Sequence, residues 1–294
     1  MSRCLYFLGW LLLLLGITLQ AWLKDHDAHW AVVFYGMPKP CLMALAAVLS
    51  LWPGLAWRVR FVNVVTALSV LGWWIHASWC LPQTQKNDPN QATISILYWN
   101  LCRPYGVDQE MVVMVKKLQP HVAVFVEAWR AREVLEKYES LLPGYQVILM
   151  PKGILVLTRV ALTESADLSS RFEVQGFGSP FLVAVADVAP HPFLSRRPQL
   201  QSVLALVGGR RDGVIVGDFN TPLESALLAD YRRNFVEAFE VAGSGFKETW
   251  PCGLPLLSID HIWVAPEWCV VSAEKLWRLT GSDHAALFVT LLRR

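Results

Sequence analysis

The hydrophobic pattern divides the chain into an apolar first part and a mixed second part. Before residue 82, three runs without a charged side chain follow one another, whereas later apolar runs are short and alternate with polar positions. Each of the three is close to the roughly 20 residues that a helix needs to cross a bilayer. We therefore predict three transmembrane helices, at about residues 4–23, 40–57 and 61–81, in a membrane region of residues 1–81.

The arginines near the ends of these runs predict the orientation. Because cytoplasmic loops carry an excess of Lys and Arg, Arg3 and the pair Arg58 and Arg60 are expected in the cytoplasm, with the later domain outside, periplasmic or extracellular. The middle run is short and contains Pro40 and Pro53. If it only dips into the membrane, two helices span and the domain faces the cytosol. A cleaved signal peptide is the rival interpretation of the first run, but no small-residue cleavage site follows it.

A polar segment at residues 82–92 predicts a linker, and residues 93–294 predict a separate domain. The chain is 54% hydrophobic and only 17% charged, which is too apolar for an ordinary soluble protein, so the two parts are expected to have different surroundings. In the second part, β-branched and aromatic runs such as 93–99 and 122–126 predict strands, and the apolar spacing of 108–118 predicts a helix. The domain is therefore expected to be mixed α/β.

Polar side chains recur where an apolar strand of this domain ends or is interrupted. The sequence Gly217-Asp218-Phe219-Asn220 closes one such strand, and by itself it is modest evidence, because strands often end in turn-forming residues. The other positions of this kind are Asn100, Glu127, His191, Asp260 with His261, and Asp283 with His284. Since strands of one sheet can bring equivalent ends together, we expect these residues to converge on one rim.

These residue types suit the hydrolysis of phosphate esters. A hard cation such as Mg²⁺ takes oxygen ligands, and Glu127 and Asp283 are the best candidates to supply them. Asp218 suits the role of a base that orients and activates a water. Arg103, just past Asn100, is a candidate phosphate contact on the same rim.

Histidines would stabilise the charge that develops on the phosphate. Asp260 can fix the tautomer of His284 and favour its cation, with His191 as a second donor. His261 directly follows Asp260 within an apolar strand, and a core position is the plainer interpretation. The net charge of +2 gives no overall footprint for nucleic acid, and the six cysteines show no zinc-binding spacing.

In this ordered set of motifs, the chain resembles the metal-dependent endonuclease/exonuclease/phosphatase superfamily, which includes deoxyribonuclease-I-like nucleases. The resemblance runs from about residue 93 to the end and rests on Trp99-Asn100, Val126-Glu127, His191, Gly217-Asp218-Phe219-Asn220, Ile259-Asp260-His261-Ile262 and Ser282-Asp283-His284. It implies a four-layer α/β/β/α sandwich with the site at one rim. Two departures stand out: Val126 precedes the glutamate where many relatives have glutamine, and His191 lies in Pro-His-Pro.

The same resemblance implies a role for each matched residue. Glu127 corresponds to the metal-binding glutamate, and Asn100 and Asp283 help to hold the metal or the phosphate. Asp218 and Asn220 correspond to the water-orienting aspartate and its asparagine neighbour, which also contacts substrate. Asp260 corresponds to the partner of His284, and His191 to the mid-chain catalytic histidine.

The expected function is that of a multi-pass, membrane-anchored hydrolase of the inner or plasma membrane that depends on Mg²⁺ or Mn²⁺. Its substrate is expected to be a phosphodiester, from nucleic acid or a phospholipid head group, or a phosphomonoester. The alternative is a non-catalytic membrane module that binds a phosphorylated ligand or a protein. Nothing in the sequence indicates an oligomer.

Overall fold

The structure is a computed structural model that describes residues 2–82, 92–164, 170–191, 193–277 and 281–294. The chain forms two compact units. The first comprises Met1–Trp79 with His191–Ser195 and Glu224–Leu227, and the second comprises Cys80–Pro190, Arg196–Leu223 and Leu228–Arg294. Most of the predicted linker, residues 83–91, lies outside the described residues.

The first unit is helical. Its helices are α1 (Ser2–Thr18, continued by a π-helical turn over Leu19–Leu23), α2 (Ala28–Gly36), α3 (Lys39–Ser50) and α4 (Trp57–Ser78). Two helical stretches, Arg3–Leu23 and Trp57–Ser78, are long and apolar enough to cross a membrane. The helices α2 and α3 meet at 64° and together form a third candidate, so the described residues offer two spans, or three.

The helix ends differ from the sequence prediction for the second and third segments. α3 ends at Ser50 and not near residue 57, because Pro53 disfavours helical backbone at the residue before it. α4 begins at Trp57 and not at residue 61, so Arg58 and Arg60 lie in its first turn and not between two helices. The pattern also missed α2, whose start is capped by the Asp27 carboxylate.

Three of these helices share an apolar core. Leu13 of α1, Leu42 and Leu49 of α3, and Val70 of α4 are all buried in it. Glycines allow the close approach of α1 and α3: a Cβ on Gly16 would lie 2.4 Å from the Leu42 side chain. The packing of small residues against a neighbouring helix is the usual means of helix association in a bilayer.

The second unit contains two six-stranded sheets. The strands of the chain are β1 (Trp79–Cys80), β2 (Thr93–Asn100), β3 (Val122–Val126), β4 (Gln146–Met150), β5 (Ile154–Thr158), β6 (Leu162–Glu164), β7 (Arg171–Val174), β8 (Phe181–Asp187), β9 (Val214–Asp218), β10 (Val236–Glu237), β11 (Gly245–Phe246), β12 (Asp260–Val264), β13 (Trp268–Leu276) and β14 (Ala286–Arg293). The first sheet has the order β13-β14-β2-β3-β5-β4 and the second the order β10-β12-β9-β8-β7-β6.

Alternate residues of the central strands supply two cores. Ile96 and Tyr98 of β2 point into the space between the sheets, where they pack with Val185 and Val216 of the second sheet. The intervening residues, such as Trp99, face the opposite way and pack with helices α5 (Gln109–Leu118) and α6 (Leu135–Leu141). Successive residues of these strands point to opposite faces, and both faces are buried. Most positions are therefore apolar, and the sequence shows continuous apolar runs.

Helices also cover the outer face of the second sheet, which completes four layers. They are α7 (Arg197–Val207) and α8 (Ala229–Asn234), whereas the short α9 (Ala238–Ala242) places Ala238, Phe239 and Ala242 in the core between the sheets. Tyr231 of α8 packs on Trp263 of β12, and its hydroxyl donates to the Leu200 carbonyl of α7. The predicted α/β/β/α arrangement is therefore present in residues 93–294.

Candidate active site

The strand topology brings most of the predicted polar residues to one edge of the two sheets. β2 and β3 run parallel, so Asn100 ends beside Val126 and the next residue, Glu127, leaves at the same level. β8 and β9 also run parallel and end together at Asp187 and Asp218. The antiparallel strand β12 begins at this edge with Asp260 opposite Asp218.

Asn100 connects two of the carboxylates. Its amide Nδ2 lies 3.0 Å from Oδ2 of Asp218 and 3.4 Å from Oε1 of Glu127, and its Oδ1 accepts from the Cys102 N–H. Asn220 supports the same carboxylate, because its backbone N–H donates to Asp218 Oδ1 at 2.7 Å. Asn100 thus bridges Glu127 and Asp218, and its amide oxygen faces the backbone of Cys102.

A second chain of contacts leads from Asp218 to a buried histidine. His284 Nδ1 lies 2.9 Å from Oδ2 of Asp260, and its Nε2 lies 3.9 Å from Asp218 Oδ2. The Tyr98 hydroxyl donates to Asp260 Oδ1 at 3.0 Å, so this carboxylate is held from two sides. Ser282 Oγ accepts from the His284 N–H and fixes the backbone there. This geometry confirms the predicted proximity of Asp260 and His284.

Burial and charge shift the acidities of this cluster. Burial, followed by the negative charge of Asp260, raises the pKa of Asp218 far above its ordinary value. Burial alone would lower the pKa of His284, but Asp260 and Asp218 outweigh it and raise the pKa to about 10. The raised pKa of His284 favours its imidazolium form at neutral pH, and the raised pKa of Asp218 increases the affinity of its carboxylate for a proton.

Three residues of the rim occupy left-handed backbone conformations that side chains seldom adopt. The φ angle is 55° at Glu127, 58° at Arg103 and 44° at Asn220. At Glu127 the conformation is held by the neighbouring Ala128 N–H, which donates to the Gly153 carbonyl. Such strained residues are concentrated at functional sites, where surrounding contacts maintain them.

Arg103 and Asp283 form the more exposed part of the rim. Arg103 Nε lies 2.8 Å from Glu127 Oε2, and its side chain is 67% exposed, so part of the guanidinium remains open to solvent. Asp283 accepts a hydrogen bond from the Trp250 indole at 2.7 Å, and its Oδ1 lies 3.8 Å from His284 Nε2. Both predicted residues therefore adjoin the cluster.

The two other histidines of the predicted motifs, His191 and His261, lie in environments that differ from that of His284. His191 belongs to the first unit, is exposed, and accepts from the Phe193 N–H. The strand before it ends at Asp187, and His191 lies four residues further on, in a segment assigned to the first unit and not to the unit that holds the cluster. His261 is buried between Phe219 and Trp263, and burial lowers its pKa to about 4, as expected for a neutral core residue.

Asp187 is a rim residue that the sequence analysis missed. It ends β8 directly beside the end of β9, where His191 had been expected to contribute. Burial, with Glu127 as the next cause, raises its pKa to about 6, whereas Arg103 and Lys152 oppose the rise. The available signal was the position of Asp187 at the end of the run Phe181–Asp187, four residues before the more conspicuous histidine.

The donor set fits a hard divalent cation. Asp218, Asp260 and His284 place one ligand atom each within 4.8 Å of one another. This trio is an imperfect Mg²⁺ site, because one ligand is nitrogen and Asp260 already accepts from Tyr98 and lies against His284. Glu127 and Asp283, with side chains 17% and 47% exposed, offer oxygens that leave room for the waters Mg²⁺ retains.

The two-sheet sandwich with acidic residues at one edge is a known class of fold. A family protein from Bacteroides thetaiotaomicron superposes with a TM-score of 0.50 at 17% identity, over 70% of this chain and 99% of that one. A second, from Bacteroides vulgatus, gives 0.50 at 15% identity over 69% and 100%. The endonuclease domain of the retrotransposon TRAS1 gives 0.51 at 13% identity over 69% and 99%. At these identities the likeness defines the fold.

The family follows from the sequence match. Residues 97–284 match the model of the Endonuclease/Exonuclease/phosphatase family, which is more than half of the chain, so the chain belongs to this family. Members are typically hydrolytic nucleases and phosphatases that depend on a divalent metal. A search of curated proteins found no match to this chain.

Proposed function

We propose that the domain hydrolyses a phosphate ester with the aid of Mg²⁺ or Mn²⁺, using Asp218 as the base for the attacking water. The observation that carries this proposal is the continuous contact chain from Glu127 through Asn100, Asp218 and His284 to Asp260. Burying so many ionisable groups at one strand edge is costly, and such groups are concentrated at functional sites.

The proposed roles follow from the surroundings of each group. Asp218 accepts from Asn220 and Asn100, which orient it, and its raised pKa suits proton transfer near neutral pH. His284 carries a positive charge through Asp260 and can donate from Nε2 to a phosphoryl oxygen. Glu127 and Asp283 would hold the cation. When bound, that ion neutralises negative charge on the phosphoryl group.

Arg103 and Asn220 are the proposed substrate contacts. Arg103 is paired with Glu127 but largely exposed, so a phosphoryl oxygen can share its guanidinium. The Nδ2 of Asn220 lies 2.7 Å from the Val188 carbonyl and 3.1 Å from Asp218 Oδ2, which fixes the carboxamide at the edge of the cluster. The substrate is a phosphodiester from nucleic acid or lipid, or a phosphomonoester.

The proposal is tested on the full-length protein with bis-p-nitrophenyl phosphate, DNA and phospholipids, with Mg²⁺, with Mn²⁺ and with chelator. Asp218→Asn and Glu127→Gln are each expected to lower kcat by about 10² or more. Glu237→Gln is the matched control, because Glu237 is also a buried carboxylate but caps α9. Turnover that is indifferent to chelator and to both site variants would refute the proposal, as would metal-dependent ligand binding without any turnover.

We also propose that the chain crosses the membrane three times, through α1, through α4 and through a middle segment that contains α3 and forms the third candidate as a bent pair with α2. α3 runs beside α1 over most of its length, because a Cβ on Gly9 would meet Leu49 just as one on Gly16 would meet Leu42. At the far end of α3, Asn63 of α4 donates to the Leu49 carbonyl at 2.8 Å. A re-entrant loop would turn back midway, so this antiparallel packing supports a third span.

A polar cluster within the first unit supports an even number of crossings after α1. Asp25, just beyond α1, accepts from the Ala226 N–H at 2.8 Å and from the Ser225 hydroxyl. Lys39, at the start of α3, lies 3.1 Å from Glu224. Residues 224–227 follow the membrane region in the chain, so they lie on the side of Asp25 if α3 and α4 both cross. The excess of arginine near the opposite ends then supports an outward-facing domain.

Cysteine labelling tests this topology. In a variant with the six native cysteines replaced by serine, Glu139→Cys and Leu51→Cys each offer one exposed thiol. An impermeant maleimide added to intact cells should label the first and not the second, and lysis should expose the second. Labelling of Leu51→Cys but not of Glu139→Cys in intact cells would indicate a cytosolic domain and contradict the proposal.

A further inference from the structure

A shallow cavity of about 560 Å³ adjoins the metal-binding end of the candidate site. It is lined by Cys102, Arg103, Tyr105, Trp129 and Arg130. Arg103 connects it to the cluster through the 2.8 Å contact with Glu127, and Trp129 follows Glu127 by two residues. Any phosphate ester held at Glu127 therefore has this cavity beside it. None of the roles assigned above uses its aromatic residues.

Trp129 is held in place on one side of its ring. Its indole lies against Gly153: a Cβ there would be 2.8 Å from Cδ2 and 3.1 Å from Cγ of the ring. Gly153 has a φ of 73° and accepts from the Ala128 N–H at 2.8 Å, so both its conformation and its lack of a side chain serve this packing. The residue is nevertheless 53% exposed, which leaves a fixed aromatic surface open to solvent.

A second flat group lies in the same cavity. The Arg130 guanidinium carbon lies 3.9 Å from the centroid of the Tyr105 ring, which is the distance of a stacked cation–π pair. Tyr105 is 85% exposed, so its ring gains little from burial in the protein. An exposed aromatic residue next to a stacked guanidinium, with a second guanidinium on Arg103, combines a stacking surface with positive charge.

This combination matches a planar ring joined to a phosphate better than it matches an acyl chain. Stacking on an aromatic face stabilises a planar base, and arginines contact both its ring and the adjoining phosphate. An acyl chain is bound by aliphatic surface, and none of the five lining residues is aliphatic. The lining contains no carboxylate that would select a sugar hydroxyl pattern.

We propose that Trp129, with the Arg130 and Tyr105 pair, forms a subsite that binds a planar ring of the substrate beside the scissile phosphate. The substrate class is then a nucleotide-like phosphodiester. This assignment rests on the phosphoesterase function proposed above, and it adds which phosphate esters are preferred. Trp129 contacts the substrate ring and serves specificity, whereas Gly153 acts as a positioning residue through Trp129.

Two model substrates with the same leaving group provide the test. Thymidine 5′-(p-nitrophenyl phosphate) and methyl p-nitrophenyl phosphate differ only in the retained ester, which carries a planar base in the first. The full-length protein should prefer the thymidine ester in kcat/KM by about tenfold. Trp129→Ala should remove most of that preference and change the methyl ester by less than twofold, whereas Trp129→Phe should keep about half of it.

Two further variants separate the ring from its support. Gly153→Ala retains the indole but displaces it, so it should reduce the same preference. Phe193→Ala removes an aromatic residue that is 71% exposed and belongs to the first unit, and it should leave both substrates unchanged. Thermal unfolding of each variant identifies any loss that reflects misfolding alone.

The outcomes distinguish the two proposals. If the wild type hydrolyses both esters but without preference, or if Trp129→Ala slows both equally, the ring subsite is refuted and the phosphoesterase function stands. If neither ester is hydrolysed, the phosphoesterase proposal fails on these substrates. Calorimetric titration with thymidine 5′-monophosphate and methyl phosphate then decides the subsite, which requires tighter binding of the nucleotide and loss of that difference in Trp129→Ala.

Discussion

The substitution Asp260→Asn removes the charge that holds His284 as a cation while preserving the shape of the side chain. Asp260 is fully buried and lies 2.9 Å from His284 Nδ1. The pKa of His284 is raised from 6.5 to about 10, which corresponds to roughly 5 kcal/mol of preference for the imidazolium, since one pKa unit is about 1.4 kcal/mol. The variant loses most of this preference.

The pKa of His284 is higher in the folded protein than in the unfolded chain. This sets the sign of the pH dependence of the free energy of unfolding. The stabilisation is complete below about pH 6.5 and is lost as the pH rises through about 10. At pH 7 the variant should therefore be less stable by about 3–5 kcal/mol, the cost of breaking a buried ion pair. Urea unfolding at pH 5, 7 and 9 measures this difference.

The pH profile of kcat/KM reports the loss of the His284 cation more specifically than the free energy of unfolding does. Without Asp260, burial lowers the pKa of His284, so the imidazolium should lose its proton at a lower pH than in the wild type. The alkaline limb of the pH profile of kcat/KM should therefore shift to lower pH. The pKa of Asp218 should also fall, because the charge of Asp260 helps to raise it, and the acid limb should follow. At pH 8 the expected loss of kcat/KM is about 10²–10⁴.

The control for this experiment is Glu237→Gln, which alters another buried carboxylate in the same sheet. Burial raises the pKa of Glu237 to about 7, and its side chain accepts from the Glu240 N–H. The control should change stability without moving either limb of the rate profile. A profile of Asp260→Asn with both limbs in their wild-type positions would refute the assigned charge state of His284.

Three further predictions concern single positions. His191→Ala should leave kcat within about twofold, because the residue is exposed and lies in the first unit, and steady-state kinetics measure this. Asp187→Asn should raise the Mg²⁺ concentration for half-maximal activity several-fold, because it removes a negative charge that interacts with Glu127, and a metal titration will show it. Gly217→Ala should destabilise the fold by about 3 kcal/mol or more, since its Cβ would lie 2.1 Å from the Ala186 carbonyl oxygen, and thermal unfolding tests this.

Local patterns were sufficient for many of the elements. The apolar spacing of residues 108–118 predicted α5, which spans Gln109–Leu118, and Asp108 caps its start through a hydrogen bond to the Met111 N–H. The continuous apolar run 122–126 predicted β3 with the bounds observed. Strands with weaker patterns, such as Arg171–Val174, were missed, because they are short and their pairing partners make them strands.

Among the site residues, too, local sequence patterns identified some and tertiary contacts determined the others. Asp218, Asp260, His284 and Glu127 were recognisable, because ionisable groups at the ends of apolar strands are expensive to bury without a role. The choice between His191 and Asp187 was not recognisable locally. A histidine in a Pro-His-Pro segment is conspicuous in the sequence, whereas the end of a strand is defined by hydrogen bonds to its neighbour, here between β8 and β9.

The sequence by itself determined the two regimes of the chain, the types of most elements and the residues that carry ionisable groups, because each of these depends on neighbours within a few positions. Only the tertiary structure decided that Asn100 bridges Glu127 and Asp218, that Asp187 ends beside Asp218, and that Gly153 supports Trp129. These contacts join residues from 24 to 118 positions apart in the printed sequence. Such contacts depend on strand register and sheet order, which are set by the packing of the whole domain.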